Sequence, residues 1–497
     1  MLVELPIFAC LLRGYRKVRC CLDTAVDRVS TPVLAHRSLF AERALLPDGW
    51  HDNVLLRWDE TGDLTEINVD AVRSQDTPLA RGLVVSGMPN LHSHAFQRAM
   101  AGLTETMGDP SDSFWSWRTL MYRFAQRLQP QHMQAIARHL YIEMLKAGYT
   151  SVCEFHYVHH DADGRPYDNP AELAQRIVIA AQEVGIGITL LPVLYQYSGF
   201  GQVEPLAHQR RFISSPEWIL DLRQRLKASM PEHANLRYGV APHSLRAVSE
   251  VSLKALLDGL NDDDAQAPIH IHIAEQTQEV DDCIVTLGQR PVEWLLARQP
   301  VDSRWCLVHA THMIDTEYSN LARSGATAGL CPTTEANLGD GLFDAPRYLA
   351  ANGRWGIGSD SNITVNPWSE LRLLEYGQRL LHRRRNVLAE VKAPVIADRL
   401  FSQAVIGGAA ATGRRVAGLA VGQRADFVVI DSDAPNVDQN NQRQLLSALV
   451  FCEHGGNPVR DVFVGGKKII DNGQHALQVN ALYDYRAALA VLLKEAV

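Results

Sequence analysis

The stretch Ile269–Gln276 reads IHIHIAEQ. Ile269, Ile271 and Ile273 alternate strictly with His270 and His272, a pattern that predicts a strand with one apolar and one polar face. Glu275 follows just past its end. Such a strand fits the wall of a parallel barrel, with isoleucines toward the outer helices and histidines toward the axis. His272 lies nearer the carboxyl end, where barrels of this kind build their sites. His270 falls one layer lower and reads as a packed, hydrogen-bonded histidine.

Three further segments extend the pattern: LHSHAFQ (Leu91–Gln97), LVHATH (Leu307–His312) and GIGSDS (Gly356–Ser361). Apolar strand candidates end near His92, His156, Tyr195, His243, His272, His309, Cys331 and Asp360. Helical spacing separates them. Gln131–Ala147 stops at Gly148 and Ala171–Val184 stops at Gly185, while Pro291–Leu296 and Glu370–Leu381 read similarly. These alternations predict an α/β fold, a (β/α)₈ TIM-like barrel, over residues 89–400. Before it, HDNVLLRWDETGDLTEINVD has a turn between two alternating runs; after it, VGQRADFVVIDSD and VRDVFVGGKKIIDNG are strand–turn units. Residues 36–88 and 401–497 are therefore expected to pair into one small β-sandwich domain, with a helix at the far end.

The chain has 497 residues, 46% hydrophobic and 21% charged, as in a soluble globular protein. The net charge of −8 argues against a general nucleic-acid binder. No apolar run reaches the roughly 18–20 residues of a membrane span. The eight cysteines form no CxxC pair and no disulfide-like framework, which suits a reduced, cytoplasmic chain. Residues 1–35 contain LPIFACLL followed by RGYRKVRCC, with charges after the apolar stretch, the reverse of a secretory signal. They read as an upstream extension or a disordered tail, with a membrane-touching segment as the weaker alternative.

His92 and His94 are two apart, so on a strand both imidazoles face one way. A lone HxH is a weak signal; here four more candidates follow at strand ends. His272 supplies a third nitrogen. Asp360, after the run WGIGSD, supplies a carboxylate whose buried charge needs a partner. Three histidines and one aspartate suit one Zn²⁺, with Fe²⁺ and Mn²⁺ as alternatives. No lysine ends the fourth strand, where His243 stands, so a single ion is expected. Such an ion lowers the pKa of water toward neutrality. Glu275 is placed to reach that water without ligating, or to serve as a helix N-terminal acid. His309 is neutral, cationic or ligating on this evidence, and His312 is read as supporting.

These motifs resemble the amidohydrolase superfamily. HSHAFQRAMAG (His92–Gly102), DSFWSWRTLMYR (Asp112–Arg123), EFHYVHHD (Glu154–Asp161), HSLRAV (His243–Val248), RWCLVHATH and TTEANLGDG (Thr333–Gly341) are similar to its formimidoylglutamate deiminase branch, from about Leu39 onward. A serine is expected at Thr333 or Thr334, and SNITVNP after Asp360 also departs from the pattern, which leaves that loop's role open. The resemblance implies a zinc-containing barrel with a β-sandwich domain, hydrolysing N-formimidoyl-L-glutamate to N-formyl-L-glutamate and ammonia in histidine degradation. It implies His92, His94, His272 and Asp360 as ligands, and Glu275, His309 and Asp360 as proton-transfer groups. Gln97, Arg118, Tyr157, His243 and Arg246 match substrate-contact positions. Two arginines suit a small dianionic substrate derived from an amino acid, through paired N–H bonds to carboxylates. A homodimer is expected, with no nucleic-acid or membrane partner. The competing readings are a purine or pyrimidine deaminase and, from another class, a catalytically inactive barrel kept as a scaffold.

Overall fold

Eight parallel strand positions run through the centre of the chain. A computed structural model describes residues 37–103, 105, 114–433, 445–452 and 456–494. The proposed extension over residues 1–35 lies outside them, as do Cys10, Cys20 and Cys21.

The N-terminal strands are β1 (Ser38–Leu46), β2 (Gly49–Trp58), β3 (Leu64–Asn68) and β4 (Gly82–Ser86). The central strands are β5 (Met88–Ser93), β6 (Tyr149–His156), β7 (Gly187–Leu194), β8 (Leu236–Tyr238) and β9 (Ala241–Pro242), then β10 (Ile269–Ile273), β11 (Trp305–His309), β12 (Thr327–Leu330) and β13 (Arg354–Ile357). β5 to β8 pair in parallel order, β9 pairs with β7, and β10 to β13 form a second parallel run. Parallel bridges Val240↔Ile269 and Ser244↔His272 connect the first run to the second. A further one, Ser93↔Asp360, connects the last strand's end to the first strand. The arrangement is TIM-barrel-like. The expected fourth strand is interrupted: β8 and β9 are separate short pieces on the same neighbour.

Helices follow the strands: α1 (Phe114–Ala125), α2 (Pro130–Ala147), α3 (Glu172–Val184), α4 (Pro216–Ser229), α5 (Glu250–Asp263), α6 (Thr277–Leu287), α7 (Pro291–Arg298), α8 (Asp315–Ser324), α9 (Pro332–Leu338), α10 (Ala345–Ala350), α11 (Pro367–His382) and α12 (Ile396–Thr412). Their ends follow local chemistry. α2 begins on Pro130, whose missing N–H costs nothing there, and stops where Gly148 takes φ +105°. The Asn366 side chain accepts from the Trp368 and Ser369 amides at the start of α11, a cap typically worth about 1 kcal/mol.

Helix α12 packs beneath the central strands. The Ala411 carbonyl accepts from His270 Nε2 at 2.9 Å, so His270 packs one layer below His272. Gly407 allows the approach: a Cβ there would meet the Trp355 carbonyl oxygen at 1.7 Å. The expected boundary at residue 400 thus falls inside a helix that packs on the central strands.

Strands β14 (Phe427–Asp431), β15 (Val459–Val464), β16 (Lys467–Asp471) and β17 (Gln474–His475) join the N-terminal ones. Both terminal segments contribute, but their strands follow one hydrogen-bonded path, β17-β16-β15-β14-β4-β1-β2-β3. The join is β4 against β14, with Val85 opposite Val428. Alternation then sorts the faces. Val84, Phe427 and Val429 pack with Leu39, Val54 and Leu56 in a core of their own. Leu83, Val85 and Val428 pack with the central core. Residues Arg37–Val497 form one compact unit. Among the described residues no helix is long and apolar enough to cross a membrane, and Cys153, Cys283, Cys306, Cys331 and Cys452 are all free.

Candidate metal centre and active site

β5 presents His92 and His94, β10 presents His272, and Asp360 follows β13. All four are buried, and one ligand atom from each lies within 4.8 Å of the others. His94 Nε2 is 3.1 Å and His272 Nε2 3.0 Å from His92 Nε2. Asp360 Oδ1 is 3.3 Å from the Nε2 of both His92 and His94.

Two of the tautomers indicate what the cluster could hold. His94 Nδ1–H donates to the Phe155 carbonyl at 3.0 Å, and His272 Nδ1–H to the His243 carbonyl at 3.2 Å. Their Nε2 lone pairs therefore point at each other's neighbourhood, beside a carboxylate. Burial drives His92 down to about 3, against the opposing Asp360 carboxylate, and burial also lowers His94 and His272. Burial alone would raise Asp360, but the hydrogen bond and charge of His92, with His309 and His94, hold it well below the usual carboxylate range. His94 and His272 thus turn unprotonated Nε2 atoms, beside the Asp360 anion, toward one point, an arrangement that suits a divalent cation. Three N and one O donors could hold one divalent ion, and the N₃O set suits Zn²⁺. Asp360 takes φ +45°, a left-handed conformation secured by Asn362. The Asn362 amide donates to the Asp360 and His94 carbonyls at 3.0 and 3.1 Å. The SNITVNP loop therefore ties the end of β13 to β5.

Beyond the cluster stand Glu275 and His309. His309 Nε2 lies 3.5 Å from Glu275 Oε1 and 3.8 Å from Asp360 Oδ2. Burial opposes a charge on His309, but Glu275, Glu335 and Asp360 together push it up to about 10. Burial raises the Glu275 carboxyl, against the pull of His309 and Arg246.

The five expected substrate-contact residues, Gln97, Arg118, Tyr157, His243 and Arg246, line one cavity with His94, His272, Glu275, His309 and Asp360. Gln97 Nε2 donates to Tyr157 Oη at 2.8 Å. Arg118 Nη2 donates to Tyr195 Oη at 2.8 Å. Arg246 lies 3.5 Å from Glu275 Oε2 and, through Nε, 3.5 Å from Glu279 Oε2. No lysine lines the cavity among the described residues. A second grouping, Glu275, His309 and Asp340, also meets simple metal-ligand geometry.

Sequence reasoning missed several residues. Glu335 Oε1 stands 3.3 Å from His309 Nδ1 and accepts from the Cys331 amide at 2.8 Å. Glu279 accepts from the Ala274 and Glu275 amides at 3.1 and 3.2 Å, pinning the bend that carries Glu275. Asp340, pushed up to about 9 by burial and the Glu275 charge, accepts from Gln276. His312 Nε2 donates to the Asp340 carbonyl at 2.8 Å, so it supports this loop. TTEANLGDG holds both Glu335 and Asp340, and two acids in the short segment after a strand were the available signal. Thr333, where a serine was a candidate, donates to Glu370 through its amide at 2.9 Å and through its hydroxyl at 2.5 Å.

Comparisons with known proteins agree with this geometry. Residues 83–469 match the amidohydrolase family. The chain is 51% identical over 456 residues to the formimidoylglutamate deiminase of Pseudomonas aeruginosa, spanning 92% of this chain and 99% of that relative. It is 26% identical over 416 residues to a 5-methylthioadenosine/S-adenosylhomocysteine deaminase of Natronomonas pharaonis, spanning 83% and 87%. Among solved structures, an amidohydrolase from Brucella melitensis superposes with a TM-score of 0.86 at 47% identity, over 92% of this chain and 100% of that one. An adenosine deaminase from Xanthomonas campestris with bound zinc shares the fold, with a TM-score of 0.77 at 20% identity over 92% and 98%. The chain belongs to the amidohydrolase family, and the formimidoylglutamate deiminase resemblance in its motifs extends over nearly its whole described length.

Proposed function

We propose that this chain is a metal-dependent deiminase that converts N-formimidoyl-L-glutamate and water to N-formyl-L-glutamate and ammonia, in histidine degradation. The observation that carries the reading is one cavity bearing two arginines, Arg118 and Arg246, beside the His/His/His/Asp cluster. A dianionic substrate with an amidine-like head needs both.

His92, His94, His272 and Asp360 would hold one Zn²⁺. When bound, the ion supplies a Lewis acid and brings the pKa of water toward neutrality. The chain's own groups do the rest. Asp360 accepts a proton from the attacking water at Oδ2. The formimidoyl carbon gains the oxygen. Glu275, its carboxyl raised by burial, delivers one proton to the imine nitrogen. The proton held by Asp360 then makes that nitrogen ammonia as its bond to carbon breaks, and Glu275 takes back the remaining hydroxyl proton as the formyl carbonyl forms. His309, between Glu275 and Asp360, holds positive charge beside the developing oxyanion. Gln97 and Tyr157, joined by a hydrogen bond, orient the head group, and His243 closes the far wall. Arg118 and Arg246 take the two carboxylates.

The same reading includes a closed (β/α)₈ barrel, a terminal sheet curled into the family's sandwich, and a cytoplasmic homodimer. Three bridges at the sheet edges support closure, and a separate apolar core on one face of the terminal sheet supports curling. Ammonia release from N-formimidoyl-L-glutamate, with guanine as the ring control, tests the substrate. Turnover of the first alone is expected, and preferential turnover of guanine overturns the reading.

A further inference from the structure

We infer that Tyr195, backed by Gln209 and Tyr122, is a positioning residue that holds the Arg118 guanidinium ready for a ligand carboxylate. The inference rests on the reading of Arg118 as a carboxylate partner and adds what fixes that arginine in place.

Arg118 is not on a barrel strand. It projects from α1, which follows the first strand's loop, whereas Tyr195 immediately follows β7 and Gln209 lies farther along the loop after it. Arg118 Nη2 donates to Tyr195 Oη at 2.8 Å. Gln209 Nε2 donates to Tyr195 Oη at 2.9 Å and to Tyr122 Oη at 3.1 Å. The two phenol oxygens are 3.1 Å apart. A phenol oxygen has two lone pairs. Those of Tyr195 accept from Arg118 and Gln209, and its hydroxyl lies within hydrogen-bond distance of Tyr122. The network thus makes Tyr195 Oη an acceptor for the guanidinium, held in place by Gln209 and Tyr122. Tyr195 and Gln209 are each 1% exposed. The Arg118 guanidinium carbon also sits 5.3 Å from the Tyr122 ring centroid, a cation–π distance.

The helix beneath is fastened to the same loop. Arg211, fully buried, donates to the Ala125 carbonyl that ends α1, and to the Leu128 carbonyl at 2.9 Å. Gln126 Nε2 donates to the His208 carbonyl at 2.8 Å, and Tyr122 stacks on the His208 ring at 4.8 Å. A long arginine side chain normally loses rotamer freedom when it captures an anion. Here that loss has already been met by the fold, so more of the contact energy appears as affinity.

A purely structural role for the same bonds predicts something different, and a double-mutant cycle separates the two. The four proteins are wild type, Tyr195→Phe, Arg118→Met and the double variant, all zinc-loaded. The readouts are the Kd for N-formyl-L-glutamate by calorimetry, and KM and kcat for N-formimidoyl-L-glutamate. Tyr195→Phe should raise Kd and KM about tenfold, the scale of re-immobilising one such side chain, with metal content unchanged and kcat altered far less. With Arg118→Met already present, adding Tyr195→Phe should raise Kd by less than about twofold. Additive losses, an unchanged Kd in Tyr195→Phe, or a wild type that binds no N-formyl-L-glutamate overturns the inference. If Tyr195→Phe does not fold, Gln209→Leu takes its place in the cycle with the same criteria. A wild type that binds the dicarboxylate with this coupling but releases no ammonia refutes the proposed reaction and leaves the role of Tyr195 standing.

Discussion

Replacing each clamp arginine by methionine should separate two roles that look alike in sequence. Arg246 is 6% exposed and lies 3.5 Å from both Glu275 and Glu279, themselves 6% and 1% exposed. Arg118 contacts a neutral phenol and is only half-buried. Removing one partner of a buried ion pair typically costs about 3–5 kcal/mol, because the remaining charge is left uncompensated. The 3.5 Å separations are longer than close charge-assisted bonds, which points to the lower end, about 3 kcal/mol. Losing the Arg118 hydrogen bond should cost about 1 kcal/mol, since the phenol retains other partners. At about 2–4 °C per kcal/mol for chains of 150–250 residues, and less for a longer one, Arg246→Met should melt about 5 °C lower and Arg118→Met about 2 °C lower. Thermal melts of the zinc-loaded proteins read this directly. Both variants should raise KM, but Arg246→Met should also lower kcat, because Glu275 loses its neighbouring cation. Acidification should narrow the melting gap, as Glu275, whose carboxyl burial raises, can then take up a proton instead of standing as an unpaired charge. Equal melting points, or a larger loss in Arg118→Met, would refute the assignment of Arg246 as a counter-ion within the site.

Glu275→Gln should keep its metal and lose at least about two orders of magnitude in kcat; near-normal turnover would return Glu275 to a helix-end role. Elemental analysis should find about one divalent ion per chain, because His92, His94, His272 and Asp360 make one complete set; two tightly bound ions would mean that a His309-centred group, with Glu275 and Asp340 or with Cys331 and Asp360, also ligates. Burial pushes Glu370 up to about 8 from an ordinary 4.5. The folded chain therefore keeps a proton that the unfolded chain releases, so this group's stabilisation is full below about pH 4.5 and lost as pH rises through about 8, at no more than about 1.4 kcal/mol per pH unit. Glu370→Gln should flatten that slope in denaturation curves at pH 5 and 8, and an unchanged slope would show that Glu370 is ionised in the fold.

Much of the central architecture was legible because it rests on short-range alternation. In IHIHI, period two alone separates His272 from the outward isoleucines and puts His270 a layer lower, where it meets Ala411. Pairing at a distance is not written that way. Nothing local to Leu83–Val85 says that its partner is Phe427–Ile430, so the terminal strands could be foreseen but not their single path through β4 and β14. The site divides likewise. Ligands at strand ends have a positional signal. Glu279, Glu335 and Gln209 act from helices and loops through contacts that only the folded chain creates, and Tyr195, though legible as a strand end, meets Arg118 only in the fold. Arg246 was foreseen as a substrate contact, but its pairing with two buried acids appears only when the β10 bend and α6 are seen together.

The central claim, hydrolytic removal of ammonia at the His92/His94/His272/Asp360 centre, is tested most directly by stripping and restoring the metal. Purified protein would be treated with a chelator, dialysed, and assayed for ammonia and N-formyl-L-glutamate from N-formimidoyl-L-glutamate, before and after one equivalent of Zn²⁺. The account predicts that chelated protein is inactive, that one equivalent of Zn²⁺ restores both products in equal amounts, and that Asp360→Ala cannot be restored. Full activity after the metal has been removed, or no reaction with zinc fully loaded, would contradict it.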